Sequence, residues 1–184
     1  MKALLLKEYN IFSYEDIPVP EYGINDLLVR IKACAICGSD VHGIDGSTGR
    51  RVPPIVMGHE AAGVVEEVGE NVTKFKPGDR ITFDSTIFCN ECHFCKQGQV
   101  NLCDNRKVLG VSCSEYRQNG AFAEYIVIPQ HIAYHLPDEL SFENAAMVEP
   151  VSIALHAIRL AKVAINNVAV VYGTGVIGLI AVQL

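Results

Sequence analysis

Cys89-Asn90-Glu91-Cys92-His93-Phe94-Cys95-Lys96-Gln97-Gly98-Gln99-Val100-Asn101-Leu102-Cys103 spaces its cysteines as C-x2-C-x2-C-x7-C. Four thiolates closing on one ion make a tetrahedral structural zinc site. The short gaps let a single loop supply every ligand. The residues between the cysteines are mostly polar and offer little to bury, so such a lobe holds its shape through the metal. The first three cysteines also fit an iron–sulfur run, but that run continues with a cysteine after three residues and then a proline. Here seven residues intervene and Asp104 follows Cys103, which favours zinc. A disulfide framework fits less well. The cysteine count is odd, at seven, and Met1–Tyr9 is too brief an apolar run for a secretory leader. Reduced cysteines and a cytoplasmic setting are the expectation.

The chain has 184 residues and is 49% hydrophobic, enough to bury a core. Its formal charge is −6, and no basic cluster is longer than Gly49-Arg50-Arg51, which argues against a nucleic-acid footprint. No apolar run reaches the ~18 residues that a membrane helix needs. The balance suits a protein with a small-molecule ligand.

Around the cysteines the chain reads as short strands and turns. In Leu27–Ala33, Leu27, Val29, Ile31 and Ala33 share one face, with Leu28, Arg30 and Lys32 on the other. Ala62–Val68, Arg80–Phe83 (after the turn Pro77-Gly78-Asp79) and Phe122–Ile128 are further strands. Several short strands of this kind predict a mainly β, barrel-like unit.

The pattern then turns helical. Ser141–Met147 is a short helix with Ser141 as N-cap, and Glu149-Pro150 opens a longer one. Val151, Ala154, Leu155, Ile158 and Ala161 form one apolar face of that second helix. Ile153, Ala157 and Leu160 make its other side apolar too, which predicts a buried helix. Asn167–Tyr172 reads as a buried parallel strand. It runs into Gly173-Thr174-Gly175-Val176-Ile177-Gly178 and a helical Val176–Leu184. A GxGxxG between strand and helix is a dinucleotide-binding signature. Its glycines permit the turn, the approach of a pyrophosphate and close packing, and the helix N-terminus faces the phosphates.

Taken together, these residues resemble the zinc-dependent medium-chain alcohol and polyol dehydrogenases, the sorbitol dehydrogenases among them. The resemblance runs the full length. It rests on Cys37-Gly38-Ser39-Asp40-Val41-His42, Gly58-His59-Glu60, the four-cysteine lobe, Glu149-Pro150 and the turn Gly173–Gly178. It implies a GroES-like β-barrel catalytic domain over residues 1–150, with a structural zinc lobe at 88–107. Residues 151–184 would be a linking helix and the start of a Rossmann cofactor domain, with one strand and one helix of its sheet. It further implies a second, catalytic zinc held by Cys37, His59 and Glu149, with Glu60 ranked just below Glu149. By the same resemblance Ser39 hydrogen-bonds the substrate hydroxyl, His42 ends a proton relay, and Asp40 fixes the His59 tautomer. NAD or NADP would exchange hydride with a secondary alcohol, and the full-length enzyme would be a dimer or tetramer.

The chain is expected to be the N-terminal part of a longer enzyme. Were it the whole product, it would be a zinc-binding or assembly module instead. Other reactive side chains carry blander expectations. Cys34 and Cys113 read as packing and His156 as a core histidine. His131 and His135 read as surface, and His93 as a spare beside four sufficient thiolates.

Overall fold

The computed structural model describes residues 1–113 and 116–184. In chain order its strands are β1 (Lys2–Glu8), β2 (Ile11–Asp16), β3 (Asp26–Ala35), β4 (Ile55–Val56), β5 (Glu60–Val68) and β6 (Arg80–Phe83). They continue with β7 (Thr86–Ile87), β8 (Lys107–Val108), β9 (Val111–Ser112), β10 (Arg117–Gln118), β11 (Tyr125–Pro129) and β12 (Ala133–His135). The helices are α1 (Gly38–Gly43), α2 (His93–Lys96), α3 (Phe142–Ala146), α4 (Val148–Ala161) and α5 (Val176–Gln183).

An antiparallel five-stranded sheet, ordered β11-β3-β5-β6-β12, carries the main core. Leu27 and Val29 of β3, Val65 of β5, Ile81 and Phe83 of β6, and Ile126 and Ile128 of β11 all point into it. Inward β-branched and aromatic residues are what a pleated, half-buried surface favours. On the outer side Arg30 reaches Glu66 at 3.3 Å. A second sheet, β2-β1-β4, closes a smaller core of Leu6, Ile55 and Met57, with Phe122 and Ile44 against it.

The mainly β barrel thus appears where the alternating segments predicted it. α3 also follows its signal: the Asn144 N–H donates to Ser141 Oγ at 3.2 Å, so Ser141 is the N-cap. α4 starts at Val148 and ends on Lys162 in the left-handed conformation. It is not buried all round, as its apolar pattern predicted. Pro150 and Ala154 are covered, but Ile153 is 50% exposed and Leu160 70%. His156 is likewise exposed rather than a core residue. A greasy helix is buried on its second face only if something covers that face, and no described element does.

The same logic applies to residues 167–172. They form no ladder with any described strand, and Val168 and Val170 are almost fully exposed. A strand needs a partner to satisfy its N–H and C=O groups. The turn after it keeps the geometry expected of it. Gly173 has φ +103°, and a Cβ on Gly178 would collide with the Gly173 carbonyl.

Three glycines set the approach to the site. Gly58, at φ +91°, precedes His59 and is crossed by the backbones of Gly110 and Gly120. A Cβ on Gly110 would lie 2.8 Å from Gly58 N, and one on Gly120 would strike the Gly58 carbonyl. The Ala121 N–H donates to that carbonyl at 2.9 Å, and the Phe122 N–H to Met57 O at 2.9 Å. Gly120→Ala is therefore expected to destabilise the fold by about 2 kcal/mol, since the atoms met are backbone. Gly38→Ala, which meets nothing within 4 Å, should stay within about 0.5 kcal/mol. Chemical denaturation of the two variants checks the contrast, and equal midpoints would contradict it.

Candidate metal centres and active site

The register of β3 against β5 builds the first centre. Ala35, the last residue of β3, pairs with Glu60, the first residue of β5. The chain leaves β3 through Cys37, which is the N-cap of α1. The Asp40 carboxylate folds back over that helix start and accepts the Cys37 N–H at 3.1 Å. Cys37 Sγ, a ring nitrogen of His59 and a carboxylate oxygen of Glu60 consequently lie within 4.8 Å of one another.

Sulfur, imidazole nitrogen and carboxylate oxygen in one place form a donor set that suits zinc. Three ligands from the protein leave a fourth position open, as a catalytic zinc requires. The electrostatics also call for a cation. An ionised Cys37 and Glu60 would stand side by side, with Glu149 lining the cavity that His59 also lines. Burial pushes the Cys37 thiol up, against hydrogen bonds from Ser39. Burial likewise raises Glu149, opposed by His59. A positive charge nearby would favour the ionised form of each.

Glu149, at the start of α4, lies outside this trio. Its Oε1 accepts from Ser85 Oγ at 3.3 Å. Together with Ser39 and His59 it lines a cavity of about 950 Å3. The resemblance ranked Glu149 ahead of Glu60 as a ligand. Within this fold Glu60 is the carboxylate beside Cys37 and His59.

Behind the trio lies a buried charge network. Arg51 Nη2 is 3.3 Å from Asp40 Oδ1, and the two side chains are 4% and 2% exposed. Asp40 Oδ1 is also 3.6 Å from His59 Nδ1. Burial pushes Asp40 up, but His59, the Cys37 N–H and Arg51 together hold it below the usual carboxylate range. For His59, burial lowers the pKa, and Asp40 followed by Glu149 and Glu60 carry it above the usual value. Nδ1 of His59 has no hydrogen-bond partner closer than Asp40. A small closure would make it a donor to Oδ1 and leave the other ring nitrogen as the metal-facing lone pair. Arg51 is the residue that sequence reasoning missed. In the sequence it figures only in the short basic cluster Gly49-Arg50-Arg51.

The four-cysteine lobe forms the second centre. Cys89, Cys92, Cys95 and Cys103 converge within 4.8 Å, and His93 stands outside them, exposed. Cys92 caps α2, Gly98 turns at φ +76°, and the 3-10 turn Val100–Leu102 returns the chain to Cys103. Backbone N–H groups of Glu91 and Cys92 donate to Cys89 Sγ at 3.5 and 3.4 Å. They pull its thiol down to about 6. Burial, with the neighbouring thiols of Cys92 and Cys103, pushes Cys95 up to about 12.

The remaining assignments separate. Ser39 lines the cavity, and its Oγ accepts from Arg51 Nη2 at 3.4 Å. His42 sits exposed in the last turn of α1 and does not line the cavity. Thr174, Gly175, Val176 and Ile177 are exposed between Gly173 and Gly178, away from it. Burial, with Asp40 and Glu60 next, pushes the Cys34 thiol up to about 12, which keeps it protonated as a packed hydrophobe. Cys113, expected to be packing, lines the cavity instead. His131 and His135 are exposed, as expected. Arg51→Met should cost about 3 kcal/mol of stability, because it strands the Asp40 charge in the interior. Denaturation midpoints read this, and a loss under about 1 kcal/mol would show that Asp40 does not depend on Arg51.

Among the described residues no helix is long and apolar enough to cross a membrane. The alcohol dehydrogenase GroES-like domain family matches residues 23–138. D-arabitol-phosphate dehydrogenase of Enterococcus avium is 38% identical over 178 residues, covering 96% of this chain and 49% of that protein. Sorbitol dehydrogenase of Bacillus subtilis is 36% identical over 185 residues, 99% of this chain and 51% of that protein. The crystal structure of galactitol-1-phosphate dehydrogenase from Escherichia coli superposes with a TM-score of 0.91 at 32% identity, covering 100% of this chain and 51% of that one. The chain thus spans about half the length of the curated relatives it matches. On its barrel, its two candidate metal-ligand clusters and these likenesses, the chain belongs to the alcohol dehydrogenase family with a GroES-like domain, among relatives that are polyol and sugar-alcohol dehydrogenases.

Proposed function

We propose that this chain forms the catalytic portion of a zinc-dependent dehydrogenase. It would act on a secondary alcohol of a polyol or sugar alcohol, with NAD or NADP as hydride carrier. The convergence of Cys37, His59 and Glu60, with His59 on the wall of a cavity, carries the reading. Bound there, zinc supplies a Lewis acid for the alcohol or carbonyl oxygen of the substrate. Cys37, His59 and Glu60 would hold it, and Glu149, a second carboxylate, lines the cavity with His59. The neighbouring Asp40 orients the His59 ring, and Arg51 holds Asp40 ionised. Ser39 Oγ, on the cavity wall, would accept a hydrogen bond from the substrate hydroxyl, and His42, exposed in the last turn of α1, would be the outer end of a proton relay. Cys89, Cys92, Cys95 and Cys103 hold a second zinc that keeps the lobe folded.

In this reading residues 1–150 are the catalytic domain, with the zinc lobe at 88–107. Residues 151–184 are the linking helix and the opening of a dinucleotide-binding unit. The uncovered Val168 and Val170 support that division, because they are the residues a sheet would pair and cover. Family likeness makes a homo-oligomer the expected assembly. Metal analysis should find two zincs per chain. Cys37→Ser should lose one zinc and abolish turnover while keeping the melting temperature within a few degrees. Cys92→Ser should lose the other and lower the melting temperature sharply. Full turnover by Cys37→Ser would end the proposal.

A further inference from the structure

The cavity lined by His59 and Glu149 is also walled by Arg50, Arg106 and Lys107. Its fourth cation, Arg51, is committed to Asp40. Among the described residues no carboxylate comes within ion-pair distance of Arg50, Arg106 or Lys107. The acids on the same wall are Asp104 and Glu149, and Glu149 Oε1 accepts from Ser85 Oγ at 3.3 Å.

The fold brings these cations together from separate segments. Arg51 bridges to Ser112 of β9, and the Ser112 N–H donates to Arg50 O at 3.2 Å. This draws Arg50 to the stretch that carries Tyr116. Lys107 is fixed on β8 opposite Ile87 of β7. Arg106 is tied to the base of the cysteine lobe, where Nη1 donates to Cys103 O at 2.9 Å. Tyr116 lines the same wall. Burial and Cys113 push its phenol up, while a hydrogen bond with the Val108 backbone and then the charges of Arg106 and Arg50 act against them.

A neutral polyol needs hydroxyl-sized donors and acceptors, not three unpaired cations. A phosphate ester carries close to two negative charges near neutral pH. Planar guanidiniums match its oxygens, and a lysine adds a point charge. A cavity of this size also admits a sugar phosphate. We propose that Arg50, Arg106 and Lys107, with the Tyr116 hydroxyl, form an anion subsite for the phosphate of a phosphorylated polyol. The proposal rests on the dehydrogenase reading and adds to it which alcohols the site selects.

The test is isothermal titration calorimetry on the zinc-loaded protein with D-glucitol 6-phosphate and D-glucitol, each with and without saturating NADP. The phosphate ester should bind at least about tenfold tighter than the free polyol, an advantage that shrinks as salt rises. Arg106→Gln with Lys107→Gln should remove most of that advantage, and Arg50→Gln alone part of it. These side chains are exposed, so folding should survive, and melting temperatures confirm it. Equal affinities for the two polyols, or an advantage untouched by all three substitutions, would overturn the subsite. An advantage abolished by NADP would assign the cations to the cofactor's phosphates and overturn it too. Turnover separates the two readings. Polyol oxidation without phosphate preference sinks the subsite alone. Phosphate-selective binding without hydride transfer to NAD or NADP from any polyol keeps the subsite and sinks the dehydrogenase assignment.

Discussion

The pairing of Ala35 with Glu60 is the constraint on which the rest depends. It joins two strand ends that the sequence keeps more than twenty residues apart. A slip of one residue would turn every side chain of β5 to the other face. Cys37 would then meet neither His59 nor Glu60. The register is held by the core below it, where Leu27 and Val29 on one strand and Val65 on the other face the same interior. Burial of apolar surface, at roughly 25 cal/mol per Å2, thus specifies a polar site that is itself costly to form.

That cost is visible in the site. Two carboxylates, a thiol and an imidazole occupy a buried corner, and one fixed positive charge, Arg51, is supplied from behind. Arg51 satisfies Asp40, Asp40 faces His59, and among the described residues Glu60 has no Lys or Arg within ion-pair distance. A dication held by Cys37, His59 and Glu60 would answer that need, as proposed. The glycines at 58, 110 and 120 serve the same end by letting three backbone segments cross directly behind His59.

Much of this was readable in the sequence because the relevant signals are local. The cysteine spacing, the alternation in Leu27–Ala33, the Ser141 cap and the strand-like runs around Pro77-Gly78-Asp79 each report on a few neighbouring residues. What was not legible depends on long-range pairing. Arg51 sits beside Arg50 in the chain, and only its bridge to Ser112, together with Asp40 one turn into α1, turns it inward. That Glu60 stands beside Cys37 and His59 is set by the end of a β-ladder, which no motif states. The apolar run of α4 and the β-branched run at 167–172 declare that they want cover, and periodicity alone does not say what provides it.

The central claim is that Cys37, His59 and Glu60 converge on one metal ion. Anomalous diffraction at the zinc absorption edge, from crystals of the zinc-loaded protein, tests it most directly. The account predicts two peaks, one amid the four lobe cysteines and one bonded to Cys37 Sγ and the His59 ring, at about 2.3 and 2.1 Å. A single peak in the lobe, with the Cys37 and His59 side chains free of metal, would contradict it.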